Sequence, residues 1–148
     1  SLGMKTVAYD PYIDPNNKIW KGTENLTLDE LLRYSDIISL HVPLTKETNQ
    51  LIDENKLQLL KPSSIIINAA RGGIIDENAL VRALEQGRIG GAALDVFIDE
   101  PLKKENAQKF NRLSNIILTP HIGGVTKESN ERVSHMIADK VDRHLANI

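Results

Sequence analysis

Residues 63–76, SSIIINAARGGIID, constrain the fold more than any other stretch of this chain. Ile65, Ile66 and Ile67 form a continuous apolar run. A strand with one wet face alternates apolar and polar residues. An unbroken run predicts a strand buried on both faces, as in a parallel sheet covered by helices. Asn68, Ala69 and Ala70 carry the strand to its carboxyl end. Arg71 follows, and Gly72 and Gly73 behind it permit a tight turn or a close approach of the backbone to a ligand. Asp76 predicts the N-cap of a new helix. An arginine at the carboxyl edge of a parallel strand stands where open α/β sheets bind their ligands. Its guanidinium offers a rigid fork of donors suited to a carboxylate. Taken alone, the same arginine also reads as a surface residue beside a strand–helix turn.

The totals exclude several classes of function. At 148 residues the chain is long enough for one domain with a core. Hydrophobic residues at 41% and charged residues at 26% are ordinary globular values, which argues against disorder. A net charge of −2 gives no electrostatic footprint for nucleic acid. No apolar run approaches the length of a membrane span, and no signal-peptide pattern occurs. With no cysteine, the chain has no disulfide, thiolate metal site or cysteine nucleophile. That composition fits a cytoplasmic protein, and no metal site is expected. Residues 1–3 read as a cut edge.

Along the chain, five apolar runs predict strands near residues 5–9, 36–42, 64–70, 91–97 and 115–118. Pro11 and Pro43 stop the first two, since proline cannot donate to a ladder. Residues 13–25 read as a polar, asparagine-rich loop containing Trp20. Thr27 predicts the cap of a helix through Tyr34, with Asp29 and Glu30 in its first turn. A short helix is expected over 53–60, closed by Lys61-Pro62. From Asp76 to Gln86 a helix presents Leu80, Val81 and Leu84 on one face, with Gly87 as its terminator. Residues 103–113 predict a polar helix. Thr126 predicts the cap of a long helix to about Asn147, with Val133, Ile137, Val141 and Leu145 at helical spacing. His41 reads as a strand-end histidine with a satisfied ring. His135 and His144 read as structural, the latter complementing the helix carboxyl end.

Several of these segments carry a resemblance. LKPSSIIINAARGGIIDENAL resembles the signature segment of the D-isomer-specific 2-hydroxyacid dehydrogenases, the phosphoglycerate dehydrogenase-like family. SDIISLHVPLTKETNQLID is similar to the family's second signature, and LGMKTVAYDPY to its second Rossmann strand. DVFIDEP followed by TPHIGG matches the segments of its catalytic glutamate and histidine. The resemblance implies an α/β, three-layer Rossmann-like parallel sheet with helices on both faces. It implies NAD as cofactor and a small 2-hydroxy or 2-keto acid as substrate, 3-phosphoglycerate being the commonest analogy. Arg71 would bind the substrate carboxylate and carbonyl. Asp10 would accept hydrogen bonds from the adenosine ribose, which favours NAD because no arginine follows to welcome a 2′-phosphate. Val42 and Pro43 would lie along the cofactor near its adenine side, with Ala69, Ala70, Arg71, His121, Gly123 and Gly124 also beside it. Asp95 would contact the nicotinamide carboxamide. As a residue it reads almost equally well as a strand-end aspartate capping the following loop.

Arg71, Glu100 and His121 each end or follow a strand, so all three can gather at one sheet edge. Oxidation of an α-hydroxy carboxylate needs a cation for the carboxylate, a proton carrier for the hydroxyl and a hydride acceptor. Histidine suits the proton step because its ordinary pKa lies near neutrality. A carboxylate on the ring's other nitrogen fixes the tautomer and favours the charged ring that ketone reduction needs.

One feature departs from the family. A dehydrogenase of this type carries a GxGxxG turn between its first strand and first helix, and no such motif occurs here. Residues 1–148 are therefore expected to be a partial NAD(P)-binding Rossmann domain without its first strand, Gly-rich turn or substrate domain, and inactive alone. The missing strand would leave a gap that cannot stay open. Either the strand at 5–9 moves into it or a second copy of the chain covers it, so a homodimer is expected. The alternatives are a non-catalytic NAD(H)-binding interaction module of corepressor type and an inactive truncated product.

Overall fold

A computed structural model describes residues 3–146. Six parallel strands form two sheets. In the first, β1 (Val7–Ala8) pairs with β2 (Glu24–Asn25). The second is four-stranded, in the order β3 (Ile37–Leu40), β4 (Ile65–Asn68), β5 (Gly91–Leu94), β6 (Ile116–Leu118). Every step along it is parallel, with Ile38 opposite Ile66, Ile66 opposite Ala92, and Ala92 opposite Ile116. Helices flank the sheet, and the result is the expected Rossmann-like α/β architecture. All the carboxyl ends of the four-stranded sheet fall on one edge.

The helices form where the chain supplies caps. α1 (Leu28–Tyr34) starts in a complete capping box, Thr27 accepting from the Glu30 N–H and Glu30 accepting from the Thr27 N–H. Asp53 caps α2 (Glu54–Leu57), and Asp76 caps α3 (Glu77–Glu85) through the N–H groups of Asn78 and Ala79. α3 ends at Gly87, whose φ of +64° suits glycine. The long helix α5 (Lys127–Leu145) is capped by Thr126. Asn147 lies outside the described residues.

Leu32 of α1, Leu57 of α2, and Leu80, Val81, Ala83 and Leu84 of α3 pack with Ile38, Leu40, Ile66, Ala92 and Leu94. A fully buried isoleucine such as Ile66 contributes about 1.5–3 kcal/mol through removal of its side chain from water. The Ile65–Ile67 run departs from expectation. Ile66 is fully buried, but Ile65 stays 40% exposed and Ile67 half-buried. Successive side chains of a strand point to opposite faces, and only the face toward α1–α3 is closed among the described residues.

Other elements differ in extent. The loop expected over 13–25 contains a 3₁₀ turn at Lys18–Trp20 and then β2. Two polar residues carry no strand pattern, so pairing with β1 alone defines β2. The helix expected over 53–60 is the single turn of α2. The helix expected over 103–113 breaks into α4 (Lys104–Ala107) and a 3₁₀ turn (Gln108–Phe110) that seats Phe110 in the core. In α5 the spaced residues Val133, Ile137, Val141 and Leu145 are all exposed, and the helix buries no residue.

The strand at 5–9 does not move in beside β3. β1 takes β2 as its partner, extended by Leu26 N–H donating to Ala8 O, and β3 pairs only with β4 among the described residues. Among the described residues that edge of β3 carries no partner strand, and Ile37 and Ser39 of β3 are exposed.

Candidate active site

Three strand ends build one cluster. Beyond β4, Asn68 is 2% exposed and closes its own turn: its Oδ1 accepts from Ala70 N–H, and its Nδ2 donates to Arg71 O. Arg71 is thereby set at the rim, exposed, with Nη1 donating to Ala70 O. Gly72 follows, and a Cβ there would lie 1.8 Å from Phe97 O. Close approach at this glycine is to a neighbouring loop of the same chain. Gly73, at φ +83°, completes the turn.

Beyond β5, Asp95 is buried and both its oxygens are used. Oδ1 accepts from Thr119 Oγ1 at 2.5 Å and from Ile122 N–H at 2.9 Å, and Oδ2 accepts from Gly123 N–H at 2.8 Å. The loop it grips is the one after β6, not the one that follows it in sequence. Burial pushes the Asp95 carboxyl upward, but these hydrogen bonds, with the His121 charge, outweigh it and hold it below its ordinary value. Gly123 sits so close that a Cβ would be 2.9 Å from Asp95 Oδ2 and 4.0 Å from the Ala69 Cβ. Ala69, Asp95 and Gly123 therefore meet at one point, while Gly124 borders open space.

The loop held by Asp95 carries His121. Its backbone is left-handed, at φ +55°, a region uncommon for residues with a Cβ. The imidazole Nδ1 lies 2.7 Å from Glu100 Oε2. Glu100 Oε1 accepts from Phe97 N–H at 2.9 Å. Those two hydrogen bonds, Phe97 first and then His121, hold the Glu100 carboxyl below its ordinary value. An ionised carboxylate can only accept, so Nδ1 carries the proton and Nε2 is turned outward. His121 and Glu100 are both partly exposed, at 46% and 33% of their side-chain surface.

The sequence-predicted residues Arg71, Asp95, Glu100, His121 and Gly123 thus lie on one edge, joined through the Gly72–Phe97 approach and the Asp95 hydrogen bonds. Ala70 packs at the margin of the core, as does Val42 at the end of β3. Pro43 accepts from Thr48 Oγ1 through its carbonyl. Asp10 stands apart, beyond β1 in the other sheet, with Oδ1 accepting from Tyr12 N–H. His41 has Ser39 Oγ at 2.9 Å from Nε2, the satisfied ring expected of it. Two supporting residues escaped sequence reasoning. Asn68 reads as the polar end of an apolar run, and Glu77 as one more acid in a helix's first turn. Nothing in their spacing announces burial.

Known proteins share this sequence pattern and fold. The family described as D-isomer specific 2-hydroxyacid dehydrogenase, NAD binding domain, matches residues 1–123. The (S)-sulfolactate dehydrogenase of Chromohalobacter salexigens is 46% identical over 97% of this chain and 46% of its own length. The D-3-phosphoglycerate dehydrogenase of Synechocystis is 46% identical over 95% of this chain and 25% of its own. Among solved structures, the D-lactate dehydrogenase of Aquifex aeolicus, complexed with NAD and lactic acid, superimposes with a TM-score of 0.80 at 37% identity, covering 98% of this chain and 47% of that one. The chain therefore spans half or less of the length of these relatives. With the family matched over most of the sequence, this chain belongs to the D-isomer specific 2-hydroxyacid dehydrogenases, in their NAD-binding domain.

Proposed function

We propose that residues 1–148 are the partial NAD-binding Rossmann domain of an oxidoreductase that transfers hydride between a nicotinamide cofactor and a D-2-hydroxy acid or its 2-keto acid. One observation carries this reading: an imidazole held through Nδ1 by a carboxylate, at the sheet edge that also bears an exposed guanidinium. Arg71 has donors left after its bond to Ala70 O and can present them as a fork to a substrate carboxylate. His121 Nε2 can take the hydroxyl proton in oxidation and return a proton to the carbonyl oxygen in reduction. Glu100 holds the Nδ1–H throughout, fixing the tautomer of the neutral ring for oxidation and favouring the charged ring for reduction.

The acceptors present suit the ribose and carboxamide of a dinucleotide. Asp10 has its Oδ2 open among the described residues, an acceptor suited to a ribose diol. Ala69 and Gly123 meet beside Asp95, which supports a floor of small residues there, and the reading puts Ala70, Gly124, Val42 and Pro43 along the same cofactor. Asp95 Oδ2 has one acceptor position left after Gly123, suited to a carboxamide N–H. NAD, when bound, supplies the hydride acceptor or donor.

The same reading makes the protein a cytoplasmic homodimer. Ile37 of β3 and Ile65 opposite it on β4, 48% and 40% exposed, support self-association, as does the edge of β3 that is unpaired among the described residues. Sedimentation of the 148-residue chain tests this: a dimer is expected, and a well-folded monomer contradicts it. The catalytic reading is tested by NADH oxidation with a panel of 2-keto acids, using the complete polypeptide that contains these residues. Turnover of at least one is expected, and NAD binding without turnover of any would favour the interaction module.

A further inference from the structure

We propose that Glu77 is a positioning residue for the Glu100–His121 pair. The inference rests on the catalytic reading above for its meaning, but not for its geometry. A carboxylate in the first turn of a helix ordinarily faces water and complements the helix dipole. Glu77 is instead 4% exposed, at the first position of α3, and both its oxygens are engaged. Oε1 accepts from Ile98 N–H at 2.7 Å, and Oε2 from Lys109 Nζ at 2.6 Å.

These two partners lie at the two ends of the segment 98–109, which carries Glu100, α4 and the start of the 3₁₀ turn. Ile98 opens the segment that carries Glu100, and Lys109 closes it. Just outside them the rings of Phe97 and Phe110 pack with centroids 6.1 Å apart. Glu77 therefore clamps the neck of that segment through its carboxylate, while the aromatic pair seals the core side.

The clamp acts on one peptide group. The Phe97–Ile98 peptide has its N–H held by Glu77, and its carbonyl oxygen packed where Gly72 has no side chain. One residue earlier, Phe97 N–H donates to Glu100 Oε1. Displacement of that peptide would shift the short stretch between Phe97 N–H and the Glu100 carboxylate it aims, and Glu100 aims the His121 ring. Because Glu77 and Gly72 both belong to the segment after Arg71, the guanidinium turn and the Glu–His pair are held in register by the same few residues. Proper orientation of reacting groups is worth large factors in rate, so such a support matters to the chemistry without touching substrate.

The test uses the 148-residue chain and two double variants. E77L/K109M removes the acceptor for Ile98 N–H and both charges together, and replacing a buried ion pair by apolar residues generally leaves a fold intact. E77Q/K109Q keeps a carbonyl acceptor and a neutral polar pair. The readout is the ¹⁵N signature of the His121 ring, assigned by its loss in His121→Gln and measured with the ring neutral, with His41 as internal control. Wild type and E77Q/K109Q are expected to show a protonated Nδ1, and E77L/K109M an exchange-averaged pair of nitrogens. An unchanged Nδ1 signature in folded E77L/K109M overturns the proposal. If E77L/K109M does not fold, hydrogen exchange of the Ile98 amide in wild type decides: core-like protection supports the clamp, and exchange as fast as a free loop amide overturns it. None of these readouts requires turnover, so failure of the clamp and failure of the catalytic reading are separate results.

Discussion

Gly72 lies so close to Phe97 that a Cβ added to it would stand 1.8 Å from the Phe97 carbonyl oxygen. The obstacle is backbone on both sides, so no side-chain rotation can relieve it. Gly72→Ala is expected to destabilise the chain by at least the ~1–3 kcal/mol typical of overpacking, and to separate the Arg71 turn from the Glu100 loop. Thermal melting checks the first effect. A variant as stable as wild type would show that the two loops do not need each other.

Asp95 is the second support. Its depressed carboxyl means that its hydrogen bonds add stability above the ordinary carboxylate range, and that this stability is lost as pH falls through the lowered value. Asp95→Asn leaves one carbonyl oxygen for a hydroxyl and two backbone donors, and sets an amide N–H₂ against one of them. A loss of about 1–3 kcal/mol at neutral pH is expected, with a flatter acid limb in urea unfolding. Equal stability and an unchanged acid limb would contradict the assignment.

Asp10→Ala is expected to weaken NAD binding, because the ribose diol loses its acceptor. An arginine introduced beside it should improve use of the 2′-phosphorylated cofactor. Calorimetry with both cofactors measures the two effects, and an unaltered NAD affinity in Asp10→Ala removes Asp10 from the site.

Arg71→Lys keeps the charge and loses the fork. KM for the 2-keto acid should rise sharply, and kcat should fall too if the fork also orients the carbonyl. Values of both within twofold of wild type, a change of about 0.4 kcal/mol, would leave Arg71 as a surface residue.

Much of this arrangement is legible in the sequence because strand ends are. The apolar runs before Asn68, Asp95 and Thr119 put Arg71, Glu100 and His121 at one edge before any coordinates are known, and Thr27, Asp76 and Thr126 announce their helices as caps. What escapes is whatever depends on a distant partner. Glu77 looks solvent-facing until Ile98 and Lys109 close on it, and Asp95 looks like a cap for its own loop until the loop after β6 folds back. β2 exists only because β1 lies beside it. The three isoleucines suggest two buried faces, yet a continuous apolar run says nothing about what covers the second one.

His121, paired with Glu100, is the proposed proton carrier of the site, and its most direct test is the rate of NADH oxidation by a 2-keto acid in the complete polypeptide, wild type against His121→Ala. A fall in kcat of about 10²–10⁴ is expected, the usual range for a lost general acid–base, with NADH affinity retained. A His121→Ala protein that turns over within a few-fold of wild type would contradict that role.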